Sequence, residues 1–140
     1  MKFVLDASMA LAWLFKREKA DEADCAERAL LTLEHAEAAV PPLWHTELAN
    51  VLLVGERRRI VTEAQVIDYL SRLSRLPIIT DDTAPASRRD LVMALAREHG
   101  LSAYEATYLE LALRANKGIA TFDGKLAGAM RRAGGKVFGD

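Results

Sequence analysis

The chain has 140 residues, 51% of them apolar and 28% charged, with a formal net charge of −1. These values are typical of a globular protein with a proper core. They exclude a globally polybasic nucleic-acid-binding protein, so any affinity for a polyanion has to come from local patches or bound metal. The one cysteine, Cys25, cannot form an internal disulfide and indicates a reducing compartment.

The first elements are a short strand and a helix. Phe3-Val4-Leu5 predicts a buried strand, and Asp6 or Ser8 can cap a helix that runs through Ala10, Leu11 and Leu14. The apolar run from Ala7 to Phe15 is followed by charged residues instead of a cleavage site, and it is too short to span a bilayer. We therefore expect a cytoplasmic protein, mature from its first residue and without a membrane segment.

The remaining elements continue this alternation of short apolar strands with helical patterns. Thr62-Glu63-Ala64-Gln65 has the form of a capping box, and Gly100 is a natural helix terminator. In chain order the pattern predicts a helix over 21–37, a strand over 38–40 stopped by two prolines, helices from 43 to about 58 and from 62 through 73, a strand over 77–79, helices over 88–99 and 102–116, a strand over 118–121, a helix over 124–133 and a last strand over 136–138.

This alternation indicates a three-layer α/β/α sandwich with a central, mostly parallel sheet. There is no internal repeat, low-complexity tract or linker, so residues 1–140 are predicted to form a single domain. In such sheets ligands bind beyond the carboxyl ends of the strands. Asp6 follows the first strand and Asp123 follows the strand over 118–121, while Asp81 and Asp82 follow the strand over 77–79.

The helix from Ser102 carries a further acid on a face that we expect to be buried. Glu105 shares the apolar stripe of Leu109 and Ala112. Glu110 and Arg114 are four residues apart on another face and are predicted to be an ordinary surface pair. A carboxylate on an apolar face is costly unless it is paired, hydrogen-bonded or bound to metal.

The helix from residue 43 repeats this pattern. Glu47 shares a face with Asn50, Val51 and Val54, and we expect that face to point inward. Its carboxylate is therefore the fourth acid that needs a partner.

Each acid also has a simple structural explanation. Asp6 and Asp123 can be helix N-caps, Glu105 completes a capping-box pattern with Ser102, and Glu47 can be a first-turn acid favoured by the helix dipole. Together, the four fit one acidic cluster better than four coincidences. Because converging carboxylates repel one another, such a cluster favours a divalent cation, and all-oxygen ligands favour Mg²⁺ or Mn²⁺.

These acids, in this order, resemble those of the PIN-domain nucleases, most closely the VapC-type toxins of bacterial type II toxin–antitoxin pairs. The resemblance covers essentially the whole chain and rests on four segments: Val4-Leu5-Asp6-Ala7-Ser8, Glu47-Leu48-Ala49-Asn50, Leu101-Ser102-Ala103-Tyr104-Glu105-Ala106-Thr107-Tyr108-Leu109 and Ala120-Thr121-Phe122-Asp123-Gly124-Lys125-Leu126.

The resemblance implies a Mg²⁺- or Mn²⁺-dependent ribonuclease that hydrolyses RNA phosphodiester bonds. Carried over by position, the catalytic and metal-binding acids are Asp6, Glu47, Glu105 and Asp123, with polar support from Ser8, Asn50 and Thr121. The family usually has Asp at the position of Glu105, and the extra methylene here adds about 1.5 Å of reach. We expect that difference to bear on the metal stoichiometry and the rate more than on the fold.

The same resemblance implies a homodimer, an RNA substrate and a cognate antitoxin whose tail enters the acidic groove. Lys125, next to Asp123, is the best candidate for an RNA contact. Two alternatives remain: a PIN-fold module without activity that binds a partner protein, and a phosphoryl-transfer enzyme for small substrates. Leu5-Asp6-Ala7-Ser8 lacks the second Asp of an Asp-x-Asp phosphatase, which disfavours the last.

Overall fold

In the computed structural model, which describes residues 1–140, four strands alternate with seven helices. The elements in chain order are β1 (Phe3–Leu5), α1 (Ala7–Leu11), α2 (Ala20–Thr32), β2 (Ala38–Val40), α3 (Leu43–Arg57), α4 (Glu63–Leu73), β3 (Ile78–Thr80), α5 (Pro85–His99), α6 (Ala103–Ala115), β4 (Gly118–Ala120) and α7 (Gly124–Arg132).

The four strands form one parallel sheet in the order β3-β2-β1-β4. Phe3 pairs with Ala38 on one side and with Gly118 on the other, so β1 lies in the interior of the sheet. Because parallel crossovers are right-handed, the helices between β1 and β3 cover one face of the sheet, and those between β3 and β4 cover the other. The predicted α/β/α sandwich is confirmed.

This topology places a crevice between the carboxyl ends of β1 and β4. These strands are neighbours, but α1 packs with α2 and α3 on one face, whereas α7 packs with α6 on the other. The point where adjacent strands send their connections to opposite faces is where open α/β sheets bind ligands. Asp6 and Asp123 follow these two strands directly.

The core is one cluster of 33 buried apolar residues. β1 and β2 are buried along their whole length, whereas β3 is an edge strand on which Ile79 is 52% exposed. Tyr69 on α4 is buried, and its hydroxyl donates to the carbonyl oxygen of Ala10 at 2.6 Å, which ties α4 to the end of α1.

Several helix ends are as the sequence predicts. Both capping boxes form, with Thr62 and Gln65 exchanging bonds at the start of α4 and Ser102 and Glu105 at the start of α6. Gly100 ends α5 with a φ of 65°, a left-handed conformation that glycine adopts without a Cβ penalty.

Other boundaries differ from the prediction. α5 begins at Pro85 instead of residue 88, because proline is well accommodated in the first helical turn. α1 ends at Leu11 and α2 at Thr32, earlier than expected. After each, the chain continues in turns whose amides bond to carbonyls three residues back, as Leu14 does to Leu11.

The prediction of a last strand over 136–138 is wrong, because these residues do not form a full strand. The structure has a single parallel bridge between Val137 and Ile119, made by the bonds from the Ile119 amide to Lys136 and from the Phe138 amide to Ile119. The left-handed φ of 99° at Gly139 turns the chain away directly afterwards. The pairing is therefore too short to be a strand.

The prediction for Glu110 is also wrong. This residue is 3% exposed, and Arg114 contacts it at 2.8 Å as expected, but Arg88 on α5 contacts it as well, at 2.6 Å. Arg114 also binds Asp81 at 2.7 Å. α5 covers this side of α6, so the pair is an internal ion network that joins α5, α6 and the loop after β3. The four-residue spacing of Glu110 and Arg114 could not reveal that α5 covers them.

The buried face of α3 is not the predicted one. Trp44, Leu48 and Leu52 point into the core, whereas Val51 is 40% exposed and Glu47 is only half-buried. Likewise, Glu105 lies half-buried at the edge of the buried stripe of α6. α3 has apolar residues all round, so the apolar pattern does not define a single inward face.

None of the helices combines the length and apolar character that crossing a membrane would require.

Candidate active site

Asp6 is held at the end of β1 by hydroxyl groups. It is 7% exposed, and its Oδ2 accepts hydrogen bonds from Ser8 Oγ at 2.5 Å and from Thr121 Oγ1 at 2.6 Å. Both donors bind the same oxygen, which leaves Oδ1 without a side-chain partner. The backbone amide of Asp6 bonds to Ala120 on β4, which keeps the two strand ends together.

The same two hydroxyls fix the turn after β4. Thr121 Oγ1 accepts from the Asp123 amide at 2.9 Å, and Ser8 Oγ accepts from the Phe122 amide at 2.9 Å. Asp123 in turn caps α7, because its Oδ1 accepts from the Leu126 amide at 3.0 Å. Ser8 and Thr121 therefore link the two strand-end acids, as polar supports would.

Glu47 reaches this edge from α3. Its Oε1 accepts a hydrogen bond of 2.6 Å from the hydroxyl of Tyr108 on α6, and Tyr108 itself is 1% exposed. Burial raises the pKa of Glu47, the Tyr108 bond lowers it, and the negative charges of Asp6 and Asp123 raise it further. Glu47 therefore lies within the electrostatic field of the two strand-end acids.

Glu105 reaches the site from α6 while serving as part of its capping box. Its Oε1 accepts from the Ser102 amide at 2.8 Å, and that bond is the largest reason why the pKa of Glu105 is lowered. The nearby side chains of Ser102 and Asp123 lower it too, as does the positive charge of Lys125. The structural explanation for Glu105 is therefore correct, and the residue also neighbours Asp123.

The predicted support Asn50 and the predicted RNA contact Lys125 differ in how close they lie to the acids. Asn50 is exposed one turn beyond Glu47 and makes no hydrogen bond to any of the acids, so the structure does not bring it into the cluster. Lys125 lies in the first turn of α7, close enough to Glu105 for their charges to interact.

The surroundings of Asp6 disfavour its charged form, mainly because the residue is buried. Its burial raises its pKa, the Ser8 and Thr121 bonds lower it, and the charge of Asp123 raises it again, with a net rise. A buried acid with a raised pKa at the ligand-binding edge of a sheet is typical of a functional site.

The donor set suits a hard divalent cation. Every candidate ligand is a carboxylate oxygen, Asp6 keeps one oxygen free, and a cation would relieve the mutual repulsion of the acids. No three acids, histidines or cysteines are yet drawn together tightly enough to enclose an ion. Any such ion would therefore draw the side chains inward or retain water ligands, as Mg²⁺ commonly does.

Sequence reasoning missed Tyr108, which contacts Glu47, and Arg17, which contacts Phe122, the residue before Asp123. Tyr108 lies in one of the segments that carry the family resemblance, and a tyrosine hydroxyl usually finds a hydrogen-bond partner when it is buried. Arg17 stacks on Phe122, with its guanidinium carbon 4.5 Å from the ring centroid, and contacts Glu22 at 3.4 Å. A pairing between residues 105 positions apart has no local pattern that could have indicated it.

Comparison with known proteins indicates the same kind of fold. The family model of the PIN domain matches residues 3–131, and the chain belongs to that family. A search of curated proteins gives no match. Membership indicates a nuclease-type function, and PIN-domain nucleases typically use divalent metal ions.

One solved structure shows the same fold, that of PAE2754 from Pyrobaculum aerophilum. Its TM-score is 0.71 at 22% sequence identity, and the match covers 99% of this chain and 91% of the other. At that identity the likeness concerns the fold alone.

Proposed function

We propose that the protein is a Mg²⁺- or Mn²⁺-dependent ribonuclease that hydrolyses phosphodiester bonds. The observation that carries the proposal is the buried carboxylate of Asp6, beside Asp123 at the switch point between β1 and β4, with a pKa raised by burial and by its neighbour. Burying carboxylates close together is unfavourable, and metal binding is a functional explanation for this arrangement.

Asp6 and Asp123 would be the principal ligands, with Glu47 and Glu105 on either side. When bound, the ion would activate water and neutralise charge that develops on the phosphoryl group. The chain's own contribution is orientation: Ser8 and Thr121 fix the carboxylate of Asp6 and the turn that bears Asp123. No side chain stands out as a conventional general base, and activation of the water by the ion would fit that observation.

RNA would be held by cations beside the acids. Lys125 stands near Glu105, and Arg17 is held on the ring of Phe122, between Thr121 and Asp123 in the chain. Ion pairing with backbone phosphates would balance the local negative charge and hold the strand across the crevice.

The resemblance to VapC-type toxins supports a finer proposal, in which the protein is a cytoplasmic, homodimeric toxin that a cognate antitoxin inhibits. A basic side chain of the antitoxin would compete with metal for the acids. This predicts a small upstream open reading frame whose product suppresses the activity. Absence of such a gene would contradict the toxin role and leave the nuclease chemistry standing.

The second candidate is a PIN-fold binding module without activity. One observation favours it: Glu105, which replaces the usual Asp, already uses its Oε1 to accept the capping-box bond from the Ser102 amide. On this account the purified protein cleaves nothing and binds divalent ions weakly.

Cleavage of a mixed RNA substrate by purified protein discriminates the two. The ribonuclease proposal predicts cleavage with Mg²⁺ or Mn²⁺, loss of cleavage on chelation, and recovery on re-addition. Asp6→Asn should abolish it, because the amide cannot supply the charge. Cleavage that survives chelation, or that Asp6→Asn retains at the wild-type rate, would refute the mechanism.

A further inference from the structure

The hydrogen bond between Tyr108 and Glu47 crosses the top of the sheet. Tyr108 lies on α6, on one face, and Glu47 lies on α3, on the other. The phenol is also close enough to Asp6 and to the backbone of Ala7 to interact with both. It therefore lies at the base of the acidic cluster, between the two helices.

We propose that Tyr108 is a positioning residue, which holds the Glu47 carboxylate in the orientation needed to bind a divalent cation. The inference rests on the proposed function, since it assigns Glu47 to the metal site.

The first argument is that Glu47 has no other anchor. Its carboxylate receives no hydrogen bond besides that of Tyr108, and its side chain is only half-buried. A glutamate has three rotatable bonds, and fixing such a side chain carries an entropy cost. A bond of 2.6 Å from a buried donor fixes the direction in which the carboxylate points before an ion arrives.

The second argument concerns which oxygen is occupied. Tyr108 binds Oε1 and leaves Oε2 without a hydrogen-bond partner. Asp6 has the same arrangement, because Ser8 and Thr121 both occupy its Oδ2. In each acid, one carboxylate oxygen is held by hydrogen bonds and the other is available to a ligand. Carboxylates that bind metal are commonly oriented by such hydrogen bonds.

The third argument is that the hydroxyl has no role in packing. A phenylalanine would fill the same buried space, so packing of α6 does not explain the hydroxyl.

Tyr108→Phe removes only that hydroxyl, and the chain supplies a matched control. Tyr69 is also buried and also donates a bond of 2.6 Å, but to the carbonyl of Ala10, on α1. Mn²⁺ affinity is measured by titration calorimetry on wild type, Tyr108→Phe and Tyr69→Phe, each first shown to be folded by circular dichroism. We expect Tyr108→Phe to weaken Mn²⁺ binding about 10-fold or more, and Tyr69→Phe to leave it unchanged.

A double-mutant cycle separates positioning from general packing. In a Glu47→Ala background, Tyr108→Phe should have no further effect on the Mn²⁺ dissociation constant. Equal losses with and without Glu47, or a folded Tyr108→Phe that binds Mn²⁺ like wild type, would overturn the inference. Failure of wild type itself to bind Mn²⁺ would instead refute the proposed function.

A measurement on the wild-type protein covers the case in which Tyr108→Phe does not fold. With ¹³C at the tyrosine ring carbon that bears the hydroxyl, the Tyr108 resonance should shift on titration with Mg²⁺. The Tyr69 resonance should remain in place. A saturating Mg²⁺ titration that leaves the Tyr108 resonance unmoved would overturn the inference.

Discussion

The hydroxyl of Thr121 is the most informative single group to remove. Thr121→Val keeps the shape of this buried side chain and deletes one oxygen. That oxygen donates to Asp6 at 2.6 Å and accepts from the Asp123 amide at 2.9 Å. The substitution should therefore loosen both strand-end acids without creating a cavity.

The expected cost follows from these two bonds. A hydrogen bond to a charged group contributes about 1.5–3 kcal/mol, and an unpaired, part-buried amide costs about 1–3 kcal/mol. Because the Asp123 amide lies at the surface edge and water relieves some of its loss, we expect a net destabilisation of about 3 kcal/mol. For a chain of this length that lowers Tm by roughly 10 °C.

The assay is thermal unfolding in chelator at pH 7, together with Mn²⁺ titration. Thr121→Ser, which keeps the oxygen and loses only a methyl group, serves as the control and should cost about 1 kcal/mol. Mn²⁺ should bind Thr121→Val about 10-fold more weakly or worse, since Asp6 has lost a partner. A Thr121→Val variant as stable as wild type, with Thr121→Ser less stable than both, would refute this role of the hydroxyl.

Three further predictions concern charge. Glu110→Gln should destabilise the protein by about 2 kcal/mol, since two arginines lose a buried partner, whereas Asp68→Asn at an exposed pair should change stability by less than about 0.5 kcal/mol in denaturant titrations. The pKa of Asp6 is raised on folding, so its ionised form opposes folding at neutral pH; the stability advantage of Asp6→Asn in chelator should shrink as pH falls from 7 toward 4, and an advantage that grows would reverse the sign. Lys125→Ala, made in an Asp6→Asn background, should reduce the slope of log Kd for single-stranded RNA against log salt concentration by about 0.7. Arg28, whose guanidinium lies over the ring of Phe138, is the control, and Arg28→Ala should leave that slope unchanged.

The sequence predicts the fold well because parallel strands and their helices leave local patterns. Three-residue apolar runs ended by Asp6 or by the Pro41-Pro42 pair predict buried strands, and capping boxes mark two helix starts. The sequence does not predict which residues are buried by an element that is distant along the chain. Glu110 looks like a surface residue until α5 is placed over it, which no spacing within α6 can indicate.

In the candidate site, too, the sequence predicts some contacts and not others. Asp6 and Asp123 could be placed together because strand ends share an edge of the sheet. Glu47 could be suspected, but the argument from an inward face was wrong, since that face of α3 is half-exposed. Its partner Tyr108 is on the opposite layer, so only the three-dimensional structure reveals the bond between them.

Locating Mn²⁺ by anomalous diffraction from a soaked crystal tests the central claim most directly. We expect a peak between the carboxylates of Asp6 and Asp123, with ligand oxygens at about 2.1 Å, the short distance of a hard octahedral cation. A fully occupied Mn²⁺ elsewhere on the surface, with the space between these two carboxylates empty, would contradict it.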